Sequence, residues 1–288
     1  MNKQLLVMVM VLSLLNCKAQ EKYLLFSSSR SGNSDIYVMH VENQTLKQIT
    51  NSSSEEWAGT WINNNEVSFL RQVGDNITRH KIKISTQKET SLEQPENCTL
   101  DDKNILYASN GRQQLYQCRS DIFIFDSETQ TTVNLTKDVP GNSRYPSWNF
   151  NGEQIIFTND QSGNNDIYSI QLKTNSLTRL TNYESNDERG DLSPDQQYLV
   201  FSSDKDHPGN QDIFIKNLKT GVLTNITNSE GTELIARWSS DGERIYYGGN
   251  KDGNWELYLY HLKNKNTKRL TNNDAFDGDP RIYKFEKH

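Results

Sequence analysis

The sequence predicts an all-β fold built from a repeated four-stranded unit, and three observations carry that prediction. The 288 residues are 33% hydrophobic and 10% aromatic, enough for a packed core, but the apolar residues fall in short runs divided by Asn, Ser, Thr and Asp rather than on helical stripes. A phrase of the form Asp-Ile-aromatic followed by Leu-Thr or Ile-Thr recurs along the chain. Asn151-Gly152 and Asp241-Gly242 stand between apolar runs, where a tight hairpin needs positive φ.

The repeat reads as Asp35-Ile36-Tyr37 with Ile49-Thr50, Asp121-Ile122-Phe123 with Leu135-Thr136, Asp166-Ile167-Tyr168 with Leu180-Thr181, Asp212-Ile213-Phe214 with Ile226-Thr227, and Glu256-Leu257-Tyr258 with Leu270-Thr271. The last four threonines follow one another at 45, 46 and 44 residues. The gap from Thr50 to Thr136 leaves room for one degraded copy around Asn76-Ile77-Thr78. Ahead of each pair a second strand is expected, at Leu25-Phe26, Ser68-Phe69, Leu106-Tyr107, Ile156-Phe157, Val200-Phe201 and Tyr246-Tyr247. An earlier strand precedes that one, as in Pro146-Ser147-Trp148 and Arg237-Trp238-Ser239. Four strands per unit of about 45 residues is the arithmetic of a propeller blade. The chain opens on a second strand and finishes on a first strand, Gly278 to Ile282, so the two ends complete one blade and close a six-bladed β-propeller with no exposed edge.

Leu192-Ser193-Pro194-Asp195 and Trp238-Ser239-Ser240-Asp241-Gly242, with the Asp-Ile-Tyr and Leu-Thr signals that follow, resemble the WD-like repeat of TolB-like propellers from about Tyr23 onward. The resemblance implies an exported, non-enzymatic protein. TolB itself carries a further N-terminal domain, for which Gln20 to Tyr23 leaves no room, so a Tol-Pal role is not carried over with the fold.

Residues 1–19 read as an export signal: Lys3, then an apolar run from Leu5 to Leu15 that is too short to span a bilayer. Cleavage before Cys17 would create a lipidated N-terminus, whereas cleavage after Ala19 would leave a soluble chain beginning at Gln20. The expected location is the periplasm or a lipid-anchored place in the bacterial envelope, and residues 20–288 form a single domain. Cys98 and Cys118 are open to two readings, a disulfide favoured by an oxidising compartment or two small buried residues.

The net charge of −6 excludes a nucleic-acid partner, which would need a basic patch, and leaves the membrane to a lipid anchor alone. Aligned innermost strands place Trp61, Cys98, Trp148, Leu192, Trp238 and Ile282 at equivalent core positions. Five residues earlier stand Glu56, Glu93, Ser143, Asp187, Glu233 and Asp277, expected to ring one mouth of the channel with carboxylates. Such a ring would hold a divalent cation such as Ca²⁺ or a basic group of a partner, or else each acid serves its own turn. Arg144, Arg189 and Arg237 lie near the same strand starts. Two loops on that face read as expanded, one carrying Arg112, Tyr116 and Arg119, the other Lys205, His207 and Pro208.

No Gly-x-Ser-x-Gly elbow is present, and His40, His80, His207, His261 and His288 are scattered. No catalytic residues emerge. The expected function is binding or scaffolding in the cell envelope, as a monomer or part of a hetero-complex, with a protein, peptide or glycan held on the acidic channel face. The alternative is a carbohydrate-active propeller enzyme, a polysaccharide lyase or glycosidase.

Overall fold

The computed structural model describes residues 23–95, 98 and 103–284; Cys17, Ala19 and the remainder of the export segment lie outside the described residues. All the described elements are strands, arranged as six four-stranded antiparallel sheets in a ring. In chain order they are β1 (Tyr23–Ser28), β2 (Asp35–His40), β3 (Leu46–Gln48), β4 (Glu55–Asn63), β5 (Glu66–Val73), β6 (Asn76–Lys83), β7 (Lys88–Leu92) and β8 (Leu106–Tyr107). Next come β9 (Gln113–Cys118), β10 (Asp121–Asp126), β11 (Thr131–Asn134), β12 (Ser143–Trp148), β13 (Gln154–Asn159), β14 (Asp166–Gln171), β15 (Ser176–Arg179) and β16 (Asp187–Leu192). The last are β17 (Tyr198–Ser203), β18 (Asp212–Asn217), β19 (Leu223–Asn225), β20 (Glu233–Trp238), β21 (Arg244–Gly249), β22 (Glu256–His261), β23 (Asn266–Arg269) and β24 (Asp277–Ile282). Blade I has the order β24-β1-β2-β3, so the last strand of the chain pairs with the first and closes the ring; blades II to VI follow in sequence from β4.

The repeated phrase has a physical origin in the blades that carry it. The acid that opens the third strand accepts a hydrogen bond from the threonine fifteen residues later: Thr50 Oγ1 to Asp35 at 2.9 Å, Thr136 to Asp121 at 2.5 Å, Thr181 to Asp166 at 3.2 Å and Thr227 to Asp212 at 2.8 Å. The same threonine hydroxyl accepts the backbone N–H of the residue after the acid, from Ile36, Ile122, Ile167, Ile213 and Leu257, at 2.9–3.0 Å. The clasp fixes the point where the chain leaves the outer strand and starts towards the next blade. A residue with both a hydroxyl and a compact apolar body suits this buried place, which is why Thr recurs.

Hydrophobic burial lies between blades rather than within them. Trp148 of blade IV packs with Leu115 and Ile122 of blade III, Leu192 of blade V with Ile156 and Ile167 of blade IV, and Ile282 of blade I with Tyr246 and Leu257 of blade VI. Aromatics on paired second and third strands stack inside each layer, as in Phe157 on Tyr168 and Tyr247 on Tyr258. The junction of blades II and III is more polar: Thr60 Oγ1 donates to the Ile105 carbonyl at 2.8 Å, and Asn104 Nδ2 donates to the Ala58 carbonyl and Ser68 Oγ at 3.2 and 3.0 Å. Cys98 and Cys118 are joined in a disulfide on blade III, with Cα atoms 5.7 Å apart.

Blade III corrects the sequence reading. Its second strand is β9, with Leu115 opposite Ile124 and Tyr116 stacked on Phe123, while Leu106-Tyr107 is its innermost strand, pairing with Leu115 and Gln114. Tyr107 therefore stands where Cys98 was expected, as the counterpart of Trp148 and Trp238, with Leu106 at the place of Ser147 and Arg237. The loop thought to be expanded in this blade is a strand, and β9 reaches β10 through Arg119 and Ser120 alone. The loop of blade V, residues 204–211, is longer than the corresponding 160–165 of blade IV.

The clasp gives a direct test. Thr181→Val keeps the shape but removes the hydroxyl, leaving the Ile167 N–H and one Asp166 oxygen without that partner. It should lower stability by about 1–3 kcal/mol, read as a drop in urea midpoint at unchanged m-value. An exposed control, Thr178→Val on β15, should change it by less than about 0.5 kcal/mol.

Candidate functional site

The acids expected to ring the channel do not line it. Glu56, Asp187, Glu233 and Asp277 are fully buried with Ser143 at the starts of β4, β16, β20, β24 and β12, wedged at the blade junctions. Each is held by polar neighbours. Asp187 accepts from Ser203 at 2.6 Å and Ser185 at 3.0 Å, Glu233 from Ser229 at 2.6 Å, and Glu56 from Arg71 Nε at 2.6 Å and from Ser52. Asp277 is gripped by both terminal contacts of Arg30, at 2.6 and 2.7 Å, and by Asn273 at 2.7 Å. The repeat-equivalent acids are structural ties, and the face they were expected to make acidic is not built from them.

Glu93 falls outside this set: it is exposed on the segment after β7, and its carbonyl accepts from Arg79 at 2.6 Å. Five residues before Tyr107 stands Asp102, which lies outside the described residues. Arg112 is at the opposite end of the blade, paired with Asp126 at 3.1 Å and with Glu128, and Tyr116 is buried in the core of blade III. Neither belongs to the channel face, because the segment that carries them runs as β9 from the far end of the blade. Arg144 is on the expected face but is bound to Asp160 at 3.0 Å. Among the described residues no group of three or more His, Cys, Asp or Glu is gathered to hold a metal ion.

What does face the channel is set by a bulge in each inner strand. The pairing of β4, β12, β16, β20 and β24 with the adjacent second strand shifts register two residues after the acid position. At the shift stand Ala58, Tyr145, Arg189, Ile235 and Asp279, all with φ between 51° and 59°. Five non-glycine residues in the left-handed region, one of them β-branched, at one level of the ring are a repeated cost of order 1 kcal/mol each. Bulges of this kind re-aim side chains. Here they turn the inner strand so that its acid faces the blade junction while the bulge residue reaches the channel.

A cavity of about 190 Å³ opens at this end, lined by the five bulge residues together with Trp57, Lys103, Arg237 and Arg281 among others. A smaller one of about 80 Å³ lies towards the other end of the inner strands and shares Thr60, Leu106, Arg237 and Arg281 with it. Among the described residues lining the wide cavity there are four cations, Lys103, Arg189, Arg237 and Arg281, and one carboxylate, Asp279, and Arg189 is also paired with Glu188 at 2.5 Å, in a chain whose net charge is −6. Burial pushes the Arg237 guanidinium down to about 9, with the positive charge of Arg281 acting in the same direction. Burial likewise lowers Arg281 and Lys284. The Tyr145 ring carries Arg189 at 4.0 Å and Lys103 at 5.7 Å from its centroid.

The narrow end is crossed by the chain just beyond β24. Tyr283 packs against Trp61 with ring centroids 6.0 Å apart, and Lys284 Nζ donates to the Asp191 carboxylate at 2.5 Å and the Trp148 carbonyl at 2.7 Å while lying over the Phe150 ring. Arg189 and Arg237 were expected at the mouth from the sequence, whereas Arg281, Lys103, Tyr145 and Lys284 were not. Arg281 had a signal, its place one residue before the aligned Ile282, as Arg237 precedes Trp238.

The buried acids titrate unusually. Burial pushes Asp187 up to about 6 and Glu233 up to about 7, while Glu56, equally buried, is held below its ordinary value by hydrogen bonds from Ser52, Thr50 and Arg71. A carboxyl raised in the folded state binds its proton more tightly there than when unfolded, so its contribution is full below about pH 4 and is lost as pH rises through 6 to 7. Glu233→Gln, which cannot ionise, should gain on the wild type by on the order of 2 kcal/mol between pH 5 and pH 8. Thermal melts across that range read the difference, and a pH-independent gap would refute the assignment.

Two families match parts of the chain: the one described as TolB beta propeller domain over residues 97–211, and the one described as dipeptidyl peptidase IV N-terminal region over residues 193–283. Among curated proteins, the Tol-Pal system protein TolB of Ruthia magnifica subsp. Calyptogena magnifica is 35% identical over 81 residues, covering 28% of this chain and 18% of that protein. The TolB of Francisella tularensis subsp. holarctica is 26% identical over 166 residues, covering 57% and 35%. The chain thus matches about a third or less of the length of these relatives. The crystal structure of TolB from Acinetobacter baumannii superposes with a TM-score of 0.73 at 16% identity, covering 91% of this chain and 66% of that one. The ring of six blades and the repeat that builds it make the chain a six-bladed β-propeller, similar to the TolB beta propeller domain over residues 97–211 and in fold to the solved TolB.

Proposed function

We propose that this chain is a non-enzymatic binding and scaffolding protein of the bacterial envelope, which receives an extended segment of a protein partner at the wide mouth of its channel. The observation that carries the reading is the collar of bulge residues: five blades each spend a strained backbone position on placing one side chain at the same mouth. Strain of that kind persists where a site requires it. The export signal read at residues 1–19 and the likeness to Tol-Pal system proteins support an envelope location. Lipidation at Cys17 would add an anchor.

The glycosidase form of the carbohydrate-active alternative needs two carboxylates with separate duties on either side of one bond. Asp191 is taken up by Lys284 and by the Trp238 N–H at 3.0 Å, and among the described residues Asp279 is the acid that lines the wide cavity. That arrangement favours holding a ligand over cleaving one.

A photo-crosslinking residue at Tyr145, in the protein expressed in its own envelope, should trap one dominant partner. The same residue at Val133, exposed on the outer strand β11, should not. Arg189→Glu should abolish the Tyr145 product while leaving the fold intact by circular dichroism. Equal labelling from both positions, or recovery of a cleaved glycan from the purified protein, would overturn the reading.

A further inference from the structure

We propose that the floor of the channel is a carboxylate seat, formed by Arg237 and Arg281 with Arg189 above them, and that its occupant is an acidic residue or C-terminal carboxylate of a peptide. The proposal rests on the channel-mouth reading and adds the chemistry of what enters. Arg237 and Arg281 come from β20 and β24, equivalent strands of neighbouring blades, and both line the larger cavity as well as the smaller one. Like charges gathered in a buried place repel: Arg281 lowers the proton affinity of Arg237, and Arg189 lowers that of both.

Three further observations show that the protein leaves this charge unspent. Arg237 donates to two main-chain carbonyls, of Ala236 at 2.8 Å and Arg189 at 3.3 Å, and neither it nor Arg281 has an ion pair within 4 Å among the described residues. The Arg281 Nε is buried with no hydrogen-bond partner there. Asp191, whose charge reaches both guanidinium groups, is itself claimed at 2.5 Å by Lys284. The tail lysine therefore does more than close the narrow end: by neutralising Asp191 it leaves Asp279, at the bulge level, as the one other described acid whose charge acts on both arginines, two cations against one anion.

The route to that floor selects the carrier. Trp57, Tyr145, Pro146 and Ile235 make an apolar and aromatic collar at the mouth, and a cavity of about 190 Å³ has the size of one or two amino-acid residues. A guanidinium presents paired N–H donors matched to a carboxylate, and the low-polarity collar strengthens that bond. An apolar or aromatic residue next to an acidic one is the simplest sequence that satisfies both layers. Entry is from the wide end, since Tyr283 and Lys284 occupy the other.

Calorimetric titration of the full processed chain with acetyl-Tyr-Glu-Glu-amide tests the seat against acetyl-Tyr-Gln-Gln-amide and tetragalacturonate. The acidic peptide should bind at least about tenfold more tightly than its amide twin, and the advantage should shrink with added salt. Arg281→Gln should remove that advantage. Lys284→Met, which frees Asp191 to face the arginines, should weaken the acidic peptide by about tenfold while leaving the mouth untouched. Thermal melts establish that each variant is folded, and Arg189→Gln, at the more open upper level, supplies a second variant if Arg281→Gln is not. Equal binding of the two peptides, or undiminished binding by folded Arg281→Gln or Arg189→Gln, would overturn the seat. Tetragalacturonate binding in place of the peptide would overturn the peptide assignment. If the acidic peptide binds as expected but the Tyr145 crosslinker traps nothing, the seat stands and the envelope-partner reading fails.

Discussion

Four of the six blades turn on a hydrogen bond from a threonine hydroxyl to a carboxylate fifteen residues earlier, and the geometry of the ring grows outward from that bond. The hydroxyl joins the end of the outer strand to the head of the third strand, so the chain leaves these blades at the same place and heading. The next inner strand then begins beside that carboxylate, bringing a second acid into the junction. Asp35 and Glu56 meet in this way, and repulsion with burial raises the first while hydrogen bonds hold the second down. A junction of two buried acids is costly unless every oxygen is managed. Serines, an asparagine and, at several junctions, an arginine reaching in from the rim hold one oxygen or both, while Glu56 Oε2, Asp187 Oδ2, Glu233 Oε2 and Glu256 Oε2 stay buried with no hydrogen-bond partner among the described residues.

That use of the acids explains why the sequence misled about the channel. In a regular strand residues i and i+2 share a face, so acids at the strand starts and the residues two places on would all look into the channel. The bulges break this rule. They rotate the strand between Glu56 and Ala58, and between Asp187 and Arg189, so one member of each pair enters the junction and the other the channel. A bulge with Gly would have announced itself; Tyr145, Arg189, Ile235 and Asp279 do not. The charge of the channel is consequently opposite in sign to the one inferred from spacing.

The larger architecture was legible because it rests on period and on apolar pairs that tolerate noise. Five of the six second strands were placed from their apolar pairs alone. Blade III defeated the method because Leu115-Tyr116 is embedded among Gln113, Gln114 and Gln117, while the two-residue inner strand Leu106-Tyr107 presents the stronger apolar signal. Its junction with blade II is also the one where polar contacts replace a shared apolar cluster, so the residues there carry less of the hydrophobic pattern that a reader follows.

The closing strand joins two properties that need not have been joined. β24 completes blade I by pairing with β1, and the same six residues supply Asp279 and Arg281 to the channel, with Lys284 two residues beyond. A chain still being synthesised lacks all of these until its last segment is available. It then has the β1 edge unpaired and an incomplete pocket. Ring closure and completion of the pocket thus arrive in a single event.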